Sequence, residues 1–165
     1  MGEIKYVKGN IFEHLPEDIP IIIPHICNDE GKFGRGFVVP LSERFPRCKE
    51  EYLRWFQNKF DVERTIQFGL SQVQFVHVGQ NVTVANMIAQ KGLISADNPE
   101  PIKYAALTGA MGSVAYACSL TPDCQIHTIK FGSGLAGGDW NQIEYLINEL
   151  WIDSGFSVTV YCLEE

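Results

Sequence analysis

The chain has 165 residues, 45% of them hydrophobic and 20% charged, with a formal net charge of −7. That length supports one domain with a substantial core. The acidic balance argues against nonspecific binding of nucleic acid or of a membrane surface, and the apolar run Ile21 to Ile23 is too short to span a bilayer.

Ile4 to Val7 alternates and predicts a strand, closed by Gly9-Asn10. Ile21 to His25 predicts a second, buried strand. It leads into a glycine-rich loop, His25 to Phe37, that opens a helix. Helical apolar spacing follows over Gly36 to Phe45, at Phe37, Leu41 and Phe45. Pro46 interrupts it, and Arg47 to Phe60 continues as a second helix with Tyr52, Trp55 and Phe56 on the inner side. Val73 to Val78 alternates, Gly79-Gln80-Asn81 turns, and Val82 to Ile88 returns as the other half of a hairpin. Lys91 to Pro101 reads as a polar loop. Tyr104 to Ser119, rich in Ala and Met, predicts a buried helix, broken by Thr121-Pro122-Asp123. Strand Gln125 to Lys130, helix Trp140 to Asp153 and strand Ser157 to Tyr161 complete the pattern, with Gly155 placed to cap the last helix. This alternation predicts a mixed, mostly parallel sheet with helices on both faces. No repeat, low-complexity tract or linker divides it, so a single domain over residues 1–165 is expected.

Two glycine loops, each between a predicted strand and a predicted helix, carry the chemical signal. One is Gly31-Lys32-Phe33-Gly34-Arg35-Gly36-Phe37; the other is Lys130-Phe131-Gly132-Ser133-Gly134-Leu135-Ala136-Gly137-Gly138-Asp139-Trp140. Glycine removes side-chain bulk and permits positive φ, so backbone N–H groups approach an anion closely at a helix N-terminus. Two such units can hold a diphosphate from both sides. Neither matches the phosphate-loop pattern, and Gly31, Gly34 and Gly36 are misspaced for a dinucleotide fingerprint. The plain alternative is a pair of ordinary strand-to-helix turns. Five cysteines (Cys27, Cys48, Cys118, Cys124, Cys162) without a C-x-x-C pair predict reduced, mostly buried thiols in a cytoplasmic protein. His14, His25, His77 and His127 are dispersed, so no metal site is expected.

Lys8-Gly9-Asn10-Ile11, His25-Ile26-Cys27-Asn28 with Gly34-Arg35-Gly36-Phe37, Asn86-Met87-Ile88-Ala89-Gln90, and Gly132-Ser133-Gly134-Leu135 through Trp140 together resemble the macrodomain family, over nearly the whole chain. The chain is most similar to the branch of terminal ADP-ribose protein glycohydrolase and the yeast ADP-ribose-1″-phosphate phosphatase. Pro24-His25-Ile26-Cys27-Asn28 stands where the larger hydrolase branch has an Asn-Ala-Ala-Asn stretch. The resemblance implies a three-layer α/β/α fold around a mixed, mostly parallel six-stranded sheet. It implies a monomer that binds ADP-ribose or an ADP-ribosylated molecule and needs no cofactor.

By that resemblance Gly9, Asn10 and Ile11 meet adenine, and Leu163 covers it. Gly34, Arg35, Gly36 and Phe37 face Ser133, Gly134, Leu135, Ala136 and Gly137 across the diphosphate. Asn28 and Phe33 lie by the distal ribose, while Cys27, Gln90, Phe131, Gly132 and Gly138 complete the substrate-binding set. For catalysis, the glycohydrolase lysine position is Gln90, with Lys91 one residue later, and its aspartate position is Ala136. His25 matches a histidine of the yeast phosphatase and is the candidate general acid–base. Asn28 and Asp139 complete the catalytic candidates. The competing structural readings make His25 a hydrogen-bonded core residue and Asp139 a helix N-cap. Three functions compete: a hydrolase of ADP-ribose 1″-phosphate or of an ADP-ribosyl adduct, a non-catalytic ADP-ribose reader, and a binder of another NAD-derived nucleotide signal.

Overall fold

The computed structural model describes residues 2–61 and 63–163. Six strands form one sheet: β1 (Lys5–Lys8), β2 (Ile21–Asn28), β3 (Val73–His77), β4 (Val82–Gln90), β5 (Gln125–Ile129) and β6 (Ser157–Cys162). Their spatial order is β1-β6-β5-β2-β4-β3. Among the described residues every pairing is parallel except the β3–β4 hairpin. This is the expected mixed, mostly parallel six-stranded sheet.

Helices cover both faces. On one side α1 (Val38–Arg44) and α2 (Pro46–Asn58) enclose Ile21, Ile23, Leu41, Tyr52, Trp55 and Val84. On the other, α3 (Tyr104–Ser119) and α4 (Trp140–Ile147) enclose Ile22, Met87, Leu107, Met111, Ile126 and Trp151. Residues of β2 therefore alternate between two cores, and a strand buried on both faces reads as a nearly continuous apolar run. Pro46 opens α2 at its first turn, where its missing N–H costs nothing, and it forces Phe45 out of helical geometry. That is why the two helical patterns stay separate.

Most expected elements stand within a few residues of the sequence reading. The helix expected to run to Asp153 changes character: after Ile147 it continues as a π-helical segment, Asn148–Ile152. The buried Trp151 indole donates to Met111 O on α3 at 3.0 Å, so the widened turn goes with the seating of that ring. Gly155 then closes the turn at φ 95° with its N–H on Ile152 O. A 3₁₀ turn, Ile11–Glu13, has no counterpart in the sequence reading; Asn10 caps it by accepting from Phe12 N at 2.9 Å.

One irregularity positions the site. β2 pairs with β5 only at Ile21 and Ile22. Pro24 has no N–H to continue that ladder, and Thr128 Oγ1 donates to Pro24 O at 2.6 Å in its place. The strands part beyond this point. β2 and β5 are also where the chain order reverses across the sheet, and open α/β sheets bind ligands at such a switch point.

Candidate functional site

A cleft of about 680 Å³ opens at the carboxyl ends of β2, β4 and β5. Its size suits a nucleotide-sized ligand. The first glycine loop forms one wall and the second the other. Gly36, at φ 78°, lies so close to the facing loop that a Cβ there would be 3.1 Å from Leu135 Cδ1. Among the described residues, no protein acceptor claims the N–H groups of Gly34, Arg35, Gly36 and Phe37, nor those of Gly132, Ser133, Gly134, Leu135 and Ala136. Lys32, Arg35, Lys49 and Lys130 line the cleft and, among the described residues, no Asp or Glu does. Open amide donors and unopposed cations make this a site for a polyanion.

The second loop is pinned at its ends. Gly138 N donates to Gly132 O at 2.7 Å and Gly137 N to Gly134 O at 2.9 Å. Gly137 itself sits at φ 71°, and a Cβ there would come 2.4 Å from Pro99 O. Gly134 has nothing within 4 Å of such a Cβ, so its place is open to the cleft.

Asn28 organises the first loop. A one-residue register shift between Cys27 and Asn28 sets Asn28 opposite Gln90. Its Oδ1 accepts from Glu30 N, Lys32 N and the Tyr52 hydroxyl, at 3.0, 3.1 and 3.0 Å, and its Nδ2 donates to Lys32 O. Gln90 is buried and donates to Gly92 O.

His25 is 2% exposed, with the Phe33 and Phe37 rings edge-on at 5.7 and 5.9 Å. Burial lowers its pKa from 6.5 to about 4, against a smaller upward pull from Asn86. The ring is therefore neutral at pH 7. Burial also pushes the Cys27 thiol well up, which keeps it protonated and a poor nucleophile.

The structure brings fourteen of the sequence-expected residues to this cleft: His25, Cys27, Asn28, Phe33, Gly34, Arg35, Gly36, Phe37, Gln90, Phe131, Gly132, Gly134, Leu135 and Ala136. Gly9, Asn10, Ile11, Ser133, Gly137, Gly138, Asp139 and Leu163 lie outside its lining. Ile11 is 3% exposed and belongs to the α2-side core. Asp139 is exposed and caps α4, accepting from Asn141 N at 2.9 Å.

Lys49, Leu53, Leu93 and Ile94 line the cleft but escaped the sequence reading, which quotes Lys32 and Lys130 in the glycine loops without giving either a role. Leu93 and Ile94 sit in the segment read as a polar loop, and two adjacent apolar residues there were the available signal. Lys49 lies on α2, remote in sequence from either loop, and no local pattern marks it.

No protein-family model matches the chain. In structure it is similar to a macrodomain protein from Streptomyces coelicolor, with 36% identity, a TM-score of 0.80, and coverage of 97% of this chain and 99% of that one. With a protein of unknown function from Bacteroides thetaiotaomicron it shares 36% identity at a TM-score of 0.85, over 96% of this chain and 97% of the other. The chain belongs to the macrodomain family. In sequence it is similar to an ADP-ribose 1″-phosphate phosphatase from Candida albicans, with 34% identity over 53 residues. That match covers 32% of this chain and 34% of the phosphatase, about a third of each. Among the described residues no helix is long and apolar enough to cross a membrane, and no group of three or more His, Cys, Asp or Glu could hold a metal ion.

Proposed function

We propose that the cleft binds ADP-ribose and that the chain hydrolyses an ADP-ribose derivative, with the 1″-phosphate monoester as the preferred substrate. The observation that carries this reading is the pair of glycine loops with open N–H groups, facing one another in a cleft lined by four cations and, among the described residues, no carboxylate. The partial likeness to the Candida albicans phosphatase supports the choice of ester. In this reading the loops hold the diphosphate and His25 serves the reacting end. A phosphate dianion near the imidazole favours the protonated ring. Substrate binding thus loads His25 with a proton that neutral solution alone does not supply. Water attacks phosphorus, the bond from phosphorus to the ribose oxygen breaks, and His25 protonates the departing oxygen.

Gln90 and Ala136 favour this reading over a lysine nucleophile assisted by an aspartate. Gln90 occupies the lysine position with its amide held by Gly92, and Lys91 is exposed and outside the cleft lining. Borohydride treatment during turnover of an ADP-ribosylated protein is expected to trap no lysine adduct; mass detection of one on Lys91 would overturn this part. The same two residues suit a non-catalytic reader, so binding and turnover are measured side by side. Gly134→Glu places a carboxylate where the diphosphate lies, without a steric clash in the fold. Calorimetry is expected to show loss of ADP-ribose binding with an unchanged melting temperature. Unchanged affinity in the folded variant would remove the pocket assignment. Binding without release of inorganic phosphate from ADP-ribose 1″-phosphate would establish the reader.

A further inference from the structure

A row of three polar side chains crosses the sheet beside the cleft. His25 on β2 is in register with Asn86 on β4, and Asn86 with Gln74 on β3. All three point to the α2 side. His25 Nε2 lies 2.6 Å from Asn86 Oδ1. Asn86 Nδ2 donates to Gln74 Oε1 at 3.0 Å and to Cys48 O at 3.2 Å. Gln74 Nε2 donates to Glu51 O at 2.9 Å. His25 and Asn86 are built into an apolar core, where a polar side chain costs stability unless fully hydrogen-bonded, and the row ends at the half-buried Gln74.

Its polarity has one solution. Cys48 O and Glu51 O are backbone carbonyls on α2 and can only accept. Asn86 and Gln74 must therefore turn their NH₂ groups toward α2, which leaves Asn86 Oδ1 facing the imidazole. An oxygen there requires a proton on Nε2. The Cys27 thiol lies beside both ring nitrogens, 3.8 Å from Nε2 and 4.0 Å from Nδ1, and among the described residues Nδ1 has no other hydrogen-bond contact.

We propose that Asn86 and Gln74 are positioning residues for His25: anchored on two carbonyls of α2, they hold the imidazole as the Nε2–H tautomer and reserve Nδ1 as the nitrogen that gains and loses the catalytic proton. The role in catalysis rests on the hydrolase reading above; the tautomer does not. Titratable groups around the row are Cys27 on β2 and Cys48 and Tyr52 on α2, each pushed up by burial, with the cations Lys32, Arg35 and Lys49 on the cleft side. The ladder thus supplies what the cleft lacks, an uncharged acceptor that keeps one ring nitrogen out of the reaction.

The wild-type protein tests the tautomer directly. Nitrogen-15 NMR of the histidine rings at pH 7 is expected to show His25 with Nε2 protonated and Nδ1 bare. The Nδ1–H tautomer would overturn the proposal without any variant. Asn86→Asp puts a carboxylate against Nε2–H and is expected to move the His25 titration, and the alkaline limb of the kcat profile, up by about one pH unit or more. Gln74→Leu frees one Asn86 donor and leaves the other on Cys48 O, so it is the variant that keeps its fold. It is expected to lower kcat several-fold with KM and ADP-ribose affinity within twofold. A KM change in step with kcat would mark a merely structural role and overturn the proposal. The failures are separable. Turnover with the wrong tautomer, or with an unmoved pH profile in Asn86→Asp, removes the ladder and leaves the hydrolase. The right tautomer in a protein that turns over no ADP-ribose ester removes the hydrolase, and the positioning role with it.

Discussion

The molecule holds two buried histidines of the same apparent kind. His25 and His127 are 2% and 5% exposed, and burial lowers each from 6.5 to about 4. Their surroundings differ. Both ring nitrogens of His127 are taken, Nδ1 by the Tyr161 hydroxyl and Nε2 by Gln125 Oε1, each at 2.8 Å. His25 has one nitrogen held by Asn86, and it lines the cleft. A depressed pKa therefore marks burial in both and chemistry in neither. Site and free valence make the distinction.

The largest test treats the two alike. Each histidine is neutral in the folded chain down to about pH 4, while the unfolded chain takes the proton near 6.5. Between those values the unfolded state binds more protons, so stability falls as pH drops through that window. At about 1.4 kcal/mol per pH unit, the loss approaches about 3 kcal/mol for each histidine. Urea unfolding at pH 7, 5.5 and 4.5 is expected to show it, and a flat profile would mean that neither ring is buried neutral.

Activity then separates them. His25→Ala is expected to cut kcat on ADP-ribose 1″-phosphate by roughly 10²-fold, the usual share of a general acid–base. Its ADP-ribose affinity is expected to change little, because the imidazole acts on the departing group. Full turnover in this variant would leave the hydrolase reading without its acid. His127→Gln is expected to do the reverse: a loss of about 1–3 kcal/mol in stability as Tyr161 and Gln125 lose a partner, unchanged turnover, and a weaker acid dependence of unfolding. Loss of turnover with intact stability would make His127 the functional ring.

Asn10 offers the smallest contrast of the same type, an engaged polar group assigned to a ligand. Its Oδ1 already caps the 3₁₀ turn through Phe12 N. Asn10→Ala is expected to weaken ADP-ribose binding by about 1 kcal/mol, the net worth of a neutral hydrogen bond, and to lower the melting temperature slightly. Asn10→Asp keeps the acceptor and is expected to match or exceed the parent. A clearly weaker Asn10→Asp protein would show that adenine does not meet this side chain.

Much of the fold was legible because local signals agreed with it. Ile21 to Ile23 could only be a buried strand, Pro46 divided two helical patterns, and Gly79-Gln80-Asn81 joined two alternating runs. The glycine loops were equally plain as glycine clusters between strand and helix patterns, while the positive φ and close contacts that require Gly36 and Gly137 show only in the fold. Less legible were residues whose role depends on partners far along the chain. Asn28 was expected at a ribose, and the fold also gives it Tyr52 and the backbone of its own loop. Gln74 is a polar member of an alternating run, and nothing beside it in sequence says that it faces Asn86.

By itself the sequence determined the alternation of elements, the mixed parallel sheet, the two glycine loops and the four cations' presence in the chain. These follow from periodicity, backbone freedom and charge, which act over a few residues. Only the tertiary structure decided that the loops face each other across the gap Pro24 opens, and that Lys49 joins them. It alone decided between the two readings of Asp139 and set Asn86 Oδ1 against His25 Nε2. Hydrogen-bond polarity and burial belong to neighbours brought together by the sheet, and no local run of residues encodes them.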